Sequence, residues 1–347
     1  MDENKLFEDF FKYNDDEFFY KELFLKSKNT VEYKKFLKNL NPDFIKKRQL
    51  IVPEFNFNYS TIFHFKDDFF DSKIHKNIFL QKHNRFTPAY IHDHEFFEII
   101  YVLSGKCENN IFGTKDVLFQ GDLCLMSPAV KHSIWSEDGI IINILIRRST
   151  IQQIFSNIFT TNSIISDFFT NSLFLKNFAT CLIFHTNDDK SIKTQILEMF
   201  DEQLNSDSYS ENIISNMLMI FFNKLLRNYK NTAKYPKSVK KQNEIISQII
   251  SMITNNFSIT LDDIAKKLGY NISYCSRYIK ELTNYNFSEL LRKIRLQKAE
   301  ELLKTTNLSI CEISHLCGYE NPENFNRAFR KNYNFSPSVF REKNKQL

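Results

Sequence analysis

From Ser258 to Arg341 the sequence repeats itself, and that repeat limits what the chain can be more than any other feature. Ile264-Ala265-Lys266-Lys267-Leu268-Gly269-Tyr270 returns as Ile313-Ser314-His315-Leu316-Cys317-Gly318-Tyr319, with the Gly-Tyr pairs 49 residues apart. In the first copy Leu261, Ile264, Ala265 and Leu268 fall at i, i+3, i+4 and i+7, the spacing of one helical face. Gly269 then supplies the left-handed residue that ends a helix without a Cβ clash. Asn271 is placed to cap a second helix carrying Tyr274, Tyr278 and Leu282. In the second copy Ile310, Ile313 and Cys317 make the stripe and Gly318 breaks it. Asn321 caps, and Pro322 takes the first helical position, where its missing N–H costs nothing. The helix that follows turns Phe325, Ala328 and Phe329 inward. Each copy thus predicts helix, tight turn, helix. Leu290, Leu291, Ile294, Leu296, Ala299, Leu302 and Leu303 mark one long helix between them.

Local pattern, capping and charge agree here. Residues 231–347 carry 19 Lys/Arg against 11 Asp/Glu, a net of +8 in a chain of net +5, which leaves −3 for residues 1–230. A basic end on a slightly acidic body is the footprint of a module that meets phosphate.

The segment resembles the DNA-binding domain of the AraC/XylS family of bacterial transcription regulators. The likeness rests on Leu261 through Tyr270, on Arg295-Leu296-Gln297-Lys298-Ala299 in the connecting helix, on Ile313 through Tyr319, and on the closing Tyr333-Asn334-Phe335-Ser336-Pro337. Asn284 and Asn334 stand where the family usually has glycine, and Asn is the residue that best tolerates the left-handed region after Gly. The resemblance implies that Ser273, Ser276 and Arg277 in the first copy touch bases, and Glu323, Asn324 and Arg327 in the second. Arg suits guanine, Asn adenine, and Glu can accept from cytosine. Lys280, Arg330 and Lys331 suit phosphate. Two recognition helices on one connecting helix would meet successive major-groove turns about 34 Å apart.

Upstream, residues 60–148 change to short β-rich runs parted by Gly, Asp and Pro, which predicts a small barrel or jelly roll. Within them His92-Asp93-His94-Glu95-Phe96-Phe97-Glu98, with Gly105 seven residues later, resembles the first motif of the cupin superfamily. Gly121, Pro128 and His132 resemble its second motif more loosely. His92, His94 and Glu98 are all even-numbered, so an extended chain points them to one side. Three readings compete for these residues and His132: hydrogen bonding of a polar small molecule, an N/O metal site, or satisfied core polarity. The first is preferred, because sensor domains of this family resemble cupins without generally being metal enzymes. No metal and no cofactor are assigned; His92, His94, Glu98 and His132 would be the ligands if one were held.

Residues 1–58 are Phe- and Lys-rich, with Leu6, Phe7, Phe10 and Phe11 on one helical face, and predict a helical arm that packs on its own protein or on a second subunit. Residues 149–230 turn helical again, with Ile192, Ile196, Leu197 and Phe200 in one stripe and Ile213, Ile214, Met217, Leu218, Phe221, Phe222 and Leu225 in another. Such paired amphipathic helices either form a dimerisation surface or cover the barrel. Residues 231–241, with Pro236, read as a linker, and 242–347 as the DNA-binding domain, with helix-turn-helix units at about 260–283 and 309–332 around a helix at about 287–305.

The expectation is a multidomain α+β chain: helical arm, cupin-like barrel with a helical dimerisation segment, and an all-α double helix-turn-helix domain. An acidic amino end without an apolar run, no stretch near the ~18 residues of a membrane helix, and six scattered cysteines without a Cys-x-x-Cys pair point to a cytoplasmic protein with reduced thiols. No nucleotide fingerprint is present. The function expected is a homodimeric, effector-controlled regulator of transcription, with double-stranded DNA and RNA polymerase as partners and a sugar or metabolite as effector, more an activator than a repressor and not an enzyme. A metal-dependent cupin enzyme with a DNA-binding tail, or a regulator signalled by a protein partner, are the alternatives.

Overall fold

The computed structural model describes residues 3–55, 62–73, 77–154, 164–174, 179–236 and 242–345. Of these, residues up to 154, 164–168 and 179–236 form one compact unit, and 169–174 with 242–345 form another.

The first unit begins with four helices, α1 (Glu3–Phe11), α2 (Asp15–Ser27), α3 (Thr30–Asn39) and α4 (Pro42–Arg48). Asn14, Asn29 and Asn41 cap the last three through their side chains, and Pro42 opens α4 where no backbone donor is needed. The arm packs on its own barrel. Tyr20, Leu23, Ile45, Leu50 and Val52 share a core with Phe86, and Phe10 meets Phe200 edge to face. Glu17, fully buried, accepts from Arg85 Nε at 2.9 Å and Lys82 Nζ at 2.8 Å while completing the Asn14 capping box. Burial pushes the Glu17 carboxyl up, but Arg85 and Lys82 outweigh it and hold it below its ordinary value.

The barrel is a pair of five-stranded sheets. β1 (Phe63–Phe65), β2 (Ile78–His83), β3 (His92–His94), β4 (Phe97–Ser104), β5 (Lys106–Ile111), β6 (Thr114–Phe119), β7 (Leu123–Met126), β8 (His132–Trp135), β9 (Ile140–Ile146) and β10 (Cys181–Phe184) are ordered β1-β3-β8-β5-β6 and β10-β7-β4-β9-β2. Between them lies an apolar core that includes Ile100, Val102, Leu118, Met126, Ile134 and Ile141. All six cysteines are free thiols, only Cys311 being exposed. The β3-to-β4 segment corrects one detail of the sequence reading. His92, His94 and Glu98 do not lie along one extended strand, because β3 ends at His94 and β4 begins at Phe97 in the opposite sheet. Their convergence comes from two sheets facing each other, not from parity along one.

After α5 (Arg148–Ile154) and α6 (Ile164–Phe174) comes β10, inside the stretch expected to be wholly helical. Cys-Leu-Ile-Phe is too short an apolar run for its period to separate strand from buried helix, and it pairs antiparallel with β7. The expected linker is shortened likewise: Lys234 bridges to Ile183 of β10, and 237–241 lie outside the described residues. Between them, α7 (Lys190–Leu204) and α8 (Ser210–Tyr229) bury Ile192, Ile196 and Leu197, and Ile214, Leu218, Phe221, Phe222 and Leu225. Gln203 of α7 bonds both backbone groups of Leu80 in β2 at 2.7 Å, so this face covers the barrel.

The second unit is helical: α9 (Gln242–Asn255), α10 (Leu261–Leu268), α11 (Ile272–Thr283), α12 (Phe287–Thr305), α13 (Ile310–Leu316), α14 (Pro322–Tyr333) and α15 (Pro337–Lys345). The long α12 packs against α9, α11, α13, α14 and α15. No described helix is long and apolar enough to cross a membrane.

Candidate functional site

Two sites emerge, one on each unit. In the second unit, Thr260 and Asp263 form a capping box at the start of α10, and Gly269 (φ 73°) ends it in the left-handed region. Asn271 accepts from Tyr274 N at 2.7 Å and starts α11. The second copy repeats the device with Ser309 and Glu312, Gly318 (φ 76°), and Asn321 accepting from Glu323 N at 2.7 Å. Phe325 and Phe329 of α14 are fully buried against Leu296, Ala299 and Leu303 of α12. In α11 the buried stripe is Cys275, Ile279 and Thr283, one position on from Tyr274, Tyr278 and Leu282, which lie half-buried. A phenol hydroxyl favours an edge where it can reach water, whereas thiol and methyl groups do not need one.

This packing leaves Ser273, Arg277 and Lys280 exposed on α11, with Ser276 half-buried, and Glu323, Asn324, Arg327, Arg330 and Lys331 exposed on α14. The base-reading candidates all lie within the first two turns of their helices, the part a helix-turn-helix offers to base edges. Arg327 is already bonded by its guanidinium to Asn324 Oδ1 at 2.7 Å. Tyr270, 42% exposed and tilted against Tyr274 with ring centroids 4.8 Å apart, joins this surface and was not singled out from the sequence. The duplicated Gly-Tyr pair was its only signal.

The barrel site is a knot of buried polar groups. His92, His94, Glu98 and His132 are 7%, 2%, 3% and 1% exposed. His92 and His132 are direct cross-strand neighbours on β3 and β8, their ring centroids 4.1 Å apart. Glu98 reaches across from β4, with its Oε2 3.1 Å from His94 Nε2 and 3.2 Å from His132 Nε2. Each imidazole is steered from behind. Nδ1 of His92 donates to Tyr90 O at 3.2 Å, that of His94 to Phe96 O at 2.6 Å, and that of His132 to Val130 O at 3.2 Å. A backbone carbonyl can only accept, so each of these Nδ1 atoms carries a proton. His94 also stacks on Phe96 and His92 on Tyr90.

Burial pushes the Glu98 carboxyl up, but His132 and His94 outweigh it and hold it well below the usual carboxylate range. Burial, with the charge of His132, pushes His92 well down. The sequence reading missed His83, at the end of β2. Its Nε2 is buried without a hydrogen-bond partner, and burial pulls the ring down to about 4, so it is neutral near pH 7. It lies close enough to Glu98 and His132 to feel their charges. Nothing in the sequence marked it, because it lies outside the motif and reaches the site only through sheet pairing.

A family model described as a helix-turn-helix domain matches residues 264–343, and one described as an AraC-like ligand binding domain matches residues 79–218. The probable transcription factor PqrA of Proteus vulgaris is 32% identical over 100 residues, 29% of this chain and 82% of that protein. The transcriptional activator AarP of Providencia stuartii is 30% identical over 122 residues, 35% of this chain and 87% of that one. The transcriptional activator RhaS of Escherichia coli is 19% identical over 258 residues, covering 72% of this chain and 87% of its own.

Proposed function

The chain belongs to the AraC family of transcription regulators, and from that premise we propose an activator whose barrel takes a small polar effector and whose two recognition helices read one face of DNA. It is a DNA-binding regulator with an N-terminal ligand-binding domain. The single observation that carries the proposal is the paired reading surface, two capped helices on one connecting helix, each turning polar side chains outward from its first turns. Ser273, Ser276, Arg277, Glu323, Asn324 and Arg327 read bases, and Lys280, Arg330 and Lys331 hold phosphate. Activation, with RNA polymerase as the partner, is supported by relatives named activators, AarP and RhaS. We read the chain as a regulator and not an enzyme, working in the cytoplasm beside the DNA it binds.

The effector, a sugar or similar metabolite, meets His92, His94, Glu98 and His132, buried polar groups of the barrel. It acts by preferring one presentation of the DNA-binding units, since equal affinity for two states shifts neither. A homodimer is supported by α8. Its barrel-facing stripe is satisfied, yet Ile213 and Ile220 remain 40% and 51% exposed, with Met217 between them at helical spacing. The test is selection of the full chain against a random DNA pool. The expected winner contains two blocks about 10 base pairs apart, one per recognition helix. Recovery of sequences no more enriched than the starting pool would overturn the reading.

A further inference from the structure

Three tyrosines run in file along one flank of α11. Tyr270 lies against Tyr274 with ring centroids 4.8 Å apart, and Tyr278 stacks on Tyr274 at 5.7 Å with the ring planes 16° apart. Tyr270 is exposed and the other two are half-buried. At 3.6 residues per turn, Tyr274 and Tyr278 stand about 60° and about 100° round the helix from Arg277. They therefore fill the strip between the exposed Ser273, Arg277 and Lys280 and the buried Cys275 and Ile279. The hydroxyls of Tyr270 and Tyr274 have no protein hydrogen-bond partner among the described residues. The second copy is built differently. Counted from the caps Asn271 and Asn321, Asn324 and Ala328 take the places of Tyr274 and Tyr278, and Tyr319 packs on Phe325 instead of joining a stack on the surface.

A major groove about 12 Å wide just admits an α-helix about 10–12 Å across. Side chains on the central strip of such a helix point at the base edges, and those further round point at the wall of the groove, which is sugar and phosphate. A neutral phenol suits that wall, because its hydroxyl can donate to a phosphate oxygen. We propose that Tyr270 and Tyr274 each donate a hydrogen bond to a phosphate oxygen of the DNA strand beside α11, uncharged contacts that hold the first helix in its groove. The proposal rests on the reading of α11 as a recognition helix, and it adds a class of contact that α14 has no tyrosines to make. Stacking prepares the contact. With Tyr270 on one side and Tyr278 on the other, the Tyr274 ring has little rotamer freedom left to lose on binding. A phenol displaces water from a phosphate and not a counterion, so these bonds add affinity without adding salt dependence.

The full chain and its Tyr270→Phe, Tyr274→Phe and Lys280→Ala variants are titrated, over a range of salt, with the duplex recovered by selection and with a scrambled duplex. Tyr→Phe removes only the hydroxyl, so the ring stack and the fold are kept. Each Tyr→Phe change should weaken both duplexes alike, by about 2- to 10-fold, and leave the salt slope unchanged. Lys280→Ala should also weaken both, but lower that slope by about one. Replacing one phosphate oxygen with methyl, position by position, then locates the partner. At that position the loss seen with the parent chain should shrink in Tyr274→Phe, since the two changes remove the same bond. Unchanged affinity in either Tyr→Phe variant overturns the proposal, while a parent chain that still prefers its selected duplex leaves the regulator standing. A Tyr274→Phe variant weakened on the selected duplex alone also overturns it, because the tyrosine would then be reading a base. A chain that binds neither duplex overturns both readings.

Discussion

The two helix-turn-helix copies share a pattern of residues but not a packing environment. Gly269 and Gly318 both sit near φ +75°, yet a Cβ on Gly269 would meet nothing within 4 Å, whereas one on Gly318 would lie 2.8 Å from the carbonyl oxygen of Phe257. The Phe257 carbonyl also accepts from Arg295 Nε at 3.0 Å and from its Nη2 at 2.6 Å, and the Arg295 guanidinium lies over the Tyr319 ring. The second turn is thus clamped between the loop before α10 and the middle of α12, while the first stands open. The tyrosines diverge in the same way. Tyr319 packs on Phe325, but Tyr270 lies 42% exposed beside Tyr274. One copy is fixed by its surroundings, the other by its own caps.

The largest expected effect tests this directly. Gly269→Ala meets only the left-handed backbone penalty, about 1–2 kcal/mol. Gly318→Ala adds overpacking against a backbone that Arg295 holds, so about 2–5 kcal/mol is expected in total. Hydrogen exchange of peptides from α13 and α14 in the full chain reads the second, and of α10 and α11 the first. Equal losses would mean that the clamp on the second turn is not rigid.

Next comes the reading itself. Arg327 is pre-ordered by Asn324, whereas the Arg277 side chain makes no hydrogen bond among the described residues. A side chain already held loses less rotamer freedom on binding. Arg327→Ala should cost about 1–3 kcal/mol on the selected site and relax one base preference, and Arg277→Ala should cost less. Titration of each variant against the selected and a scrambled duplex is the measurement. Lys331→Ala, by contrast, should weaken both duplexes alike and lower the salt slope by about one. If Arg327→Ala behaved like Lys331→Ala, Arg327 would be a phosphate contact.

What the residues revealed in advance divides along the same line. Local signals carried the helices, because caps such as Asn271, Asn321 and Pro322 and breaks such as Gly269 act within a few residues. The inward side of α11 was harder, since Tyr274 and Cys275 fit helical spacing equally well and only tertiary contact decides between them. In the barrel the motif named His92, His94, Glu98 and His132, but not His83, which enters from β2 through a register of strands no local pattern encodes. Strand β10 escaped for the same reason: four apolar residues have no period to read. Clamping of Gly318 by Phe257, 61 residues away, is likewise long-range.

The smallest effect is where the copies should agree. Asn284 (φ 61°, ψ 1°) and Asn334 (φ 62°, ψ 4°) end α11 and α14 in nearly the same left-handed geometry, and each backbone N–H reaches the carbonyl four residues back, Lys280 and Arg330, at 2.9 Å. Both asparagines are exposed, so neither has a packing environment to distinguish it. Glycine would relieve the left-handed strain but widen the unfolded ensemble, and the two terms oppose each other at under about 1 kcal/mol. Asn284→Gly and Asn334→Gly are therefore expected to shift local stability by about 0.5 kcal/mol or less, and by the same amount in both copies, measured by exchange of the last turns of α11 and α14. A marked loss at Asn334 alone would extend the clamp beyond Gly318 to the whole second copy. A marked loss at Asn284 alone, where Lys280 Nζ also bonds the Asn284 carbonyl at 2.8 Å, would show that the open copy leans on this end of α11 as well as on its caps.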